Sequence, residues 1–186
     1  MSSRGRLFVV AGPSGAGKTT VIREARKLVD VDLSVSVTTR QPRPGEVDGV
    51  DYIFVTEDEF DRLAEASEFL EWEEVYGSRY GTPRRRVEEA LERGRDVLLE
   101  IDVKGARAVK ASMPGALLVF VMPPGEGALR ERLEGRADGK TEIESRLAVA
   151  PVELEAGTRE FDLVIVNDVL ESAADKLAKV LRGEAF

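Results

Sequence analysis

Residues 12–19 read Gly-Pro-Ser-Gly-Ala-Gly-Lys-Thr, and this octapeptide constrains the fold more than any other stretch of the chain. It matches the pattern G-x-x-x-x-G-K-[ST]. Glycines at 12, 15 and 17 free the backbone to curl until successive N–H groups point inward, a concavity that suits phosphate oxygens. Such a loop belongs between a strand and a helix, whose positive N-terminal end adds to the cradle. Both neighbours are legible: Leu7–Ala11 is an apolar strand candidate, and Thr19–Val29 has helical spacing. Lys18 is placed to reach β- and γ-phosphates, and the Thr19 hydroxyl to ligate magnesium. The motif implies a bound nucleoside triphosphate within an α/β fold, and leaves open what becomes of the nucleotide.

The rest of the chain supports that fold class. Ser34–Thr39 alternates and leads into Gln41-Pro42-Arg43-Pro44-Gly45, a loop that two prolines keep out of helix. Asp51–Val55 is a short strand, and Thr56-Glu57-Asp58-Glu59 is a capping box opening a helix to about Ala66. Phe69–Tyr76 reads as a strand that turns at Gly77–Gly81. Thr82-Pro83 then supplies a cap and a first-turn proline to a helix that stops at Gly94. Beyond it, strands Val97–Asp102, Leu117–Met122 and Leu163–Val166 alternate with helices Lys104–Ala111, Gly127–Glu134, Glu142 onward and Ser172–Leu181. Pro151 is expected to kink or end the helix that contains it. Strands apolar on both faces, alternating with helices, predict a parallel sheet covered on both sides. Residues 34–82 break this rhythm, being strand-rich and polar. The expected organisation is a core of residues 1–33 and 83–186, with a short lid at about 132–146, and an inserted mixed α/β lobe at 34–82.

Composition narrows the chemistry. Among 186 residues there is no histidine and no cysteine. That excludes a Ser-His-Asp triad, a Cys nucleophile, an imidazole base, ordinary zinc ligation and disulfides. The formal charge of −8 argues against a nucleic-acid backbone as partner. No apolar run approaches the ~20 residues of a membrane span, and the stretch behind Met1–Arg6 is too short for a signal peptide, so a cytoplasmic chain without membrane or nucleic-acid partners is expected. An enzyme of this composition works mainly by positioning and by charge.

Two further features bear on a second substrate. Arg40 and Arg43 lie three apart on the proline-stiffened loop, a fork that suits a dianionic phosphate, with Tyr52 and Tyr80 as further donors. The pair reads equally well as solvated loop charges. Glu71, in the alternating run Phe69-Leu70-Glu71-Trp72-Glu73, shares a face with Phe69. An ionised carboxylate accepts hydrogen bonds and donates none, which complements the N1–H and N2–H₂ edge of guanine and opposes the N1 lone pair of adenine. A solvent-facing glutamate is the plainer reading of the residue by itself.

Several segments together, in order and at matching spacing, resemble guanylate kinases. They are Gly12–Thr19, Thr38-Thr39-Arg40-Gln41-Pro42-Arg43-Pro44-Gly45-Glu46, Tyr52-x-Phe54, Phe69-Leu70-Glu71, Tyr80-Gly81-Thr82, Ile101-Asp102 and Ile165-Val166-Asn167-Asp168. The likeness extends from about Arg6 to Leu181. The resemblance implies transfer of the ATP γ-phosphoryl group to GMP, and use of dGMP too, with magnesium as cofactor. It implies that Gly12, Pro13, Ser14, Gly15, Ala16, Gly17, Lys18, Thr19 and Thr20, with Asn167, bind ATP. Arg40, Arg43, Tyr52 and Tyr80 would hold the GMP phosphate, and Ser36, Glu71, Thr82 and Asp102 would surround the guanine. Lys18 and Arg40, with the lid arginines Arg132, Arg136 and Arg146, would act on the transferring phosphates.

The chain departs from the family pattern at Glu100, where Asp is usual, and at Lys104, where Gln is usual; its lid looks about one residue shorter. Two other readings are carried alongside: a catalytically inactive interaction module of the same fold, and a P-loop kinase of another small acceptor such as AMP. The expected assembly is a monomer or small homo-oligomer.

Overall fold

The computed structural model describes residues 4–75, 77–135 and 140–185. In chain order its elements begin with β1 (Leu7–Ala11), α1 (Lys18–Ala25), β2 (Asp32–Leu33), β3 (Val37–Thr38), β4 (Ile53–Phe54), α2 (Glu57–Glu65), β5 (Phe69–Val75) and β6 (Ser78–Pro83). They continue with α3 (Arg84–Glu92), β7 (Val97–Glu100), α4 (Val103–Ser112), β8 (Leu117–Met122), α5 (Glu126–Glu134), α6 (Lys140–Glu160), β9 (Leu163–Val166) and α7 (Leu170–Arg182).

Five strands form an all-parallel sheet in the order β2-β7-β1-β8-β9. β1 is central and buried along its whole length, and the two-residue side-chain period divides it. Phe8 and Val10 point to one face, where Val21, Ile22 and Ala25 of α1 and Ala173, Leu177 and Leu181 of α7 cover them. Leu7, Val9 and Ala11 point to the other, against Val87 and Leu91 of α3 and Val109 of α4. Covering both faces lets every strand be apolar throughout. It also brings the carboxyl ends of β1, β7 and β8 to one edge, through the pairs Val10↔Glu100 and Ala11↔Phe120, the edge where open α/β sheets bind ligands.

A second sheet has the order β4-β3-β6-β5, with β3 parallel to β4 and the other pairings antiparallel. Its small core is Val37, Phe60 and Phe69, with the rings of Phe60 and Phe69 4.6 Å apart. The capping box at Thr56 is formed in both directions.

Four local expectations change. α1 stops at Ala25, and residues 26–29 turn back toward β2. The segment expected to turn at 77–81 is mostly strand, since Val75 pairs with Ser78 across a tight hairpin whose Gly77 has φ 75°. Thr82 lies in β6 and does not cap α3; its hydroxyl is engaged by Glu71, and Pro83 occupies the N-cap with no side-chain bond. α6 runs through Pro151 without ending. Pro151 itself is solvent-exposed. No helix among the described residues is long and apolar enough to cross a membrane.

Candidate active site

The loop from Gly12 to Thr19 leaves the end of β1 and turns into α1. Positive φ angles at Gly12 (152°), Gly15 (89°) and Gly17 (89°) produce the curl. At Gly12 a Cβ would sit 2.0 Å from the Val121 carbonyl oxygen of β8, so the loop can pass the neighbouring strand only with glycine there. At Gly17 a Cβ would fall 2.4 Å from Asn167 Nδ2, a side-chain atom.

Around this loop the polar side chains are engaged with one another. Lys18 Nζ donates to the carbonyls of Gly12 (2.6 Å) and Pro13 (3.1 Å), so its ammonium lies across the mouth of the cradle. Thr19 Oγ1 donates to Glu100 Oε1 at 2.6 Å, at the end of β7. Arg146, largely buried on α6, donates from Nη1 to Ser14 Oγ at 2.8 Å. Arg132 of α5 reaches the Ala16 and Asn167 carbonyls at 3.1 and 2.9 Å, and Asn167 Nδ2 also donates to Ala16 O. Of the two described lid arginines, Arg146 therefore meets the phosphate loop near its start and Arg132 near its end, beside Asn167. Arg136 lies outside the described residues. Thr20 is half-buried on the first turn of α1.

The second sheet presents two clusters to this edge. In the first, Arg40 Nη2 donates to both Glu46 oxygens (2.8 and 3.0 Å), and the guanidinium lies over the rings of Tyr52 (5.3 Å) and Phe54 (5.9 Å). The Tyr52 and Tyr80 rings meet edge to face at 5.9 Å. Burial raises the Tyr52 phenol above its ordinary value, and the nearby Glu100 carboxylate pushes it the same way, which ties this cluster to the Thr19–Glu100 pair. The Arg43 side chain is on the exposed part of the loop.

In the second cluster, Glu71 is buried and accepts a hydrogen bond from Thr82 Oγ1 at 2.5 Å, its cross-strand partner. Burial drives the Glu71 carboxyl up to about 7; the Thr82 hydroxyl pulls it down, and the Asp102 charge pushes it up further. Asp102 caps α4 by accepting the Gly105 N–H at 2.7 Å. A Cβ on Gly105 would stand 2.8 Å from Glu71 Oε2 and 3.3 Å from Asp102 Oδ1, so this glycine lets both carboxylates share one corner. Val37 pairs with Gly81, so extending the antiparallel register by one residue brings Ser36 alongside Thr82.

The structure thus gathers Lys18, Thr19, Arg132, Arg146 and Asn167 about one loop, Arg40, Tyr52 and Tyr80 in a second group, and Glu71, Thr82 and Asp102 in a third. Three residues here had no role in the sequence reading of the site. Glu46 binds Arg40; the signal was its place six residues on, at the close of the proline loop. Gly105 makes room for Glu71, which no sequence spacing foretells. Glu153, half-buried on α6 and within electrostatic reach of Lys18 and Asp102, has its carboxyl raised by burial.

A glycine cradle on the carboxyl edge of a parallel sheet, faced by an arginine cluster and a buried carboxylate, defines a P-loop phosphotransferase. The family model described as guanylate kinase matches residues 4–184, and the chain belongs to the guanylate kinase family. It is 52% identical over 184 residues to a guanylate kinase of Rhodococcus jostii, covering 97% of this chain and 88% of that one. With a guanylate kinase of Thermobifida fusca it shares 52% over 178 residues, covering 95% and 90%. Among solved structures it is similar to guanylate kinase from Anaplasma phagocytophilum, with TM-score 0.81 and 34% identity, covering 98% of this chain and 87% of that one.

Proposed function

We propose that the chain transfers the γ-phosphoryl group of ATP to GMP, giving ADP and GDP, and that it accepts dGMP as well. The observation that carries this reading is Glu71: a buried carboxylate, held by Thr82 and set beside Asp102 at the start of α4. When ionised it is an acceptor only, the complement of the guanine N1–H and N2–H₂ edge, with Ser36, Thr82 and Asp102 around the base. Adenine would set a lone pair against it. An inactive interaction module needs no intact phosphate loop, and here Gly17, Lys18 and Thr19 are all in place.

The chemistry asks for position and charge. The GMP phosphate is itself the nucleophile, so no general base is needed, in keeping with a chain that lacks histidine. Arg40, Arg43, Tyr52 and Tyr80 hold that phosphate. The backbone of Gly12–Thr19, with Pro13, Ser14 and Ala16 among its members, holds the phosphates of ATP, and Asn167 lies on the adenine side. Lys18, now on the Gly12 and Pro13 carbonyls, has phosphate oxygens as stronger acceptors when ATP enters. Arg132, Arg136 and Arg146 add positive charge as it develops on the transferring group. One hydroxyl (Thr19) beside one carboxylate (Glu100) suits magnesium, which keeps several waters and takes few protein oxygens. The Thr19 hydroxyl would hold it, and when bound it neutralises phosphate charge. Residues 34–82 and the lid at about 132–146 close over the core and exclude water from the transfer.

An ADP-release assay with GMP, dGMP, AMP and UMP as acceptors tests the assignment. GMP is expected to be fastest, with dGMP used and AMP and UMP poor. Equal turnover with AMP sinks the guanine reading.

A further inference from the structure

The loop between β3 and β4 is mostly exposed and carries two prolines, and yet holds at its middle a carboxylate, Glu46, with three hydrogen bonds. Glu46 Oε1 and Oε2 accept from Arg40 Nη2 at 2.8 and 3.0 Å, and Oε2 also accepts the backbone N–H of Arg43 at 2.7 Å. The Glu46 N–H donates in turn to the Arg43 carbonyl at 3.1 Å, so the turn from Arg43 to Glu46 is closed from both sides. The Arg40 and Glu46 side chains are only 16% and 19% exposed, in contrast to the flanking residues 41–45. Arg40 Nη1 is held by the Gln41 carbonyl at 2.8 Å, and the guanidinium carbon lies 5.3 and 5.9 Å from the ring centres of Tyr52 and Phe54.

We propose that Glu46 is a positioning residue for the acceptor nucleotide: it fixes the Arg40 guanidinium and the Arg43 turn in the geometry that receives the acceptor phosphate. The proposal rests on the reading of Arg40 as a ligand of that phosphate. Two effects of Glu46 oppose each other. Its negative charge repels an incoming phosphate, while its hydrogen bonds remove the rotational freedom of a long side chain and of an exposed loop. The second effect wins here because the charge is already neutralised by direct contact with Arg40, which leaves a dipole and not a free anion facing the substrate. The mutual shifts agree: the Arg40 guanidinium holds the Glu46 carboxyl below its ordinary value, and Glu46 raises Arg40. A preplaced fork loses less order on binding than one that must find its place.

The test uses Glu46→Gln, Arg40→Ala and the double variant, each titrated calorimetrically with GMP and with guanosine, which lacks the phosphate, and each assayed for KM and kcat. Glu46→Gln is expected to raise the GMP dissociation constant and KM by about tenfold, the lower end of what contacts supporting a binding residue contribute, with kcat within about threefold. Guanosine binding stays unchanged, which also shows that the guanine pocket is folded. In the Arg40→Ala background the same change adds less than it does in the parent, because Glu46 then acts only through the Arg43 turn. Unchanged or tighter GMP binding by Glu46→Gln overturns the proposal, as does a full additive loss in the double variant or a parallel loss of guanosine binding. If Arg40→Ala itself leaves GMP affinity unchanged, what fails is the reading of Arg40 as phosphate ligand.

Discussion

The two nucleotide-facing regions of this molecule are built on different physical plans. The loop at Gly12–Thr19 is a backbone device. Its shape comes from positive-φ glycines pressed against β8 and Asn167, and its donors are main-chain N–H groups backed by α1. The sheet of β3, β4, β5 and β6 is a side-chain device. Glu71 and Thr82 meet across an antiparallel pair, and Arg40 rests on Tyr52 and Phe54. Backbone donors recognise any chain of phosphates, whereas side chains can tell one base from another. The contrast supports the proposed division, with triphosphate binding at the first region and acceptor selection at the second.

Lys18→Ala gives the largest expected effect. Removing the one cationic side chain of the loop should lower kcat by about 10²- to 10³-fold, the scale of losing one preplaced donor to a transferring group. Circular dichroism should remain that of the parent, because the fold of the loop rests on glycines and on Asn167. A kcat within tenfold of the parent breaks the division of labour.

Glu71→Gln comes next and should leave ATP binding unaffected. It replaces one acceptor by an amide that donates toward guanine donors, at a cost of ~1–3 kcal/mol in kcat/KM for GMP, the usual penalty for an unpaired buried group. The same variant sharpens a pH dependence. The Glu71 carboxyl is raised from 4.5 to about 7 in the folded chain, so the folded state retains a proton there that the unfolded state releases. Its contribution to stability is full below about pH 4.5 and is lost as pH rises through about 7. The melting temperature of the ligand-free protein should therefore fall across that window more steeply than that of Glu71→Gln. GMP affinity should rise with pH over the same range as the acceptor ionises. Phosphate monoesters gain their second charge at about pH 6, so only the part of the rise absent from Glu71→Gln belongs to the protein.

Thr82→Val should show the smallest effect. It removes the hydroxyl that bonds Glu71 at nearly constant volume, for a loss of ~0.5–1.5 kcal/mol in GMP binding. It should also move the pH dependence upward, since that hydroxyl is what lowers Glu71. A downward shift contradicts the pairing.

The same contrast governs how much could be read from the residues. The phosphate loop is contiguous, so its strand, glycines, lysine and threonine stand in the order in which they act. The alternation of doubly apolar strands and helices likewise carried the parallel sheet. Glu71 and Arg40 were not legible by themselves, because an arginine on a loop reads equally well as a solvated charge and a glutamate in an alternating strand reads more plainly as solvent-facing. Their meaning came from resemblance to a family before the structure showed one buried and the other stacked. Thr82 shows the reason. As sequence it fits a helix cap, and the structure gives its hydroxyl to Glu71, eleven residues away, because β6 pairs with β5 and carries Thr82 into the sheet. Of the two outcomes expected at Pro151, an end to the helix did not occur, since α6 continues to Glu160.

What the sequence by itself determined is the local chemistry: a glycine-built phosphate cradle, a parallel α/β core, and a chain without His or Cys that must act through arginine, lysine and carboxylate. Tertiary structure alone decided which polar and charged groups meet. It set Thr19 against Glu100, Arg146 against Ser14 and Arg40 against Glu46, and it buried Glu71 beside Asp102 over a glycine. The physical reason is one of range. Backbone conformation answers to neighbours within a few residues, whereas burial and charge pairing depend on which distant segments the sheets bring to the same edge.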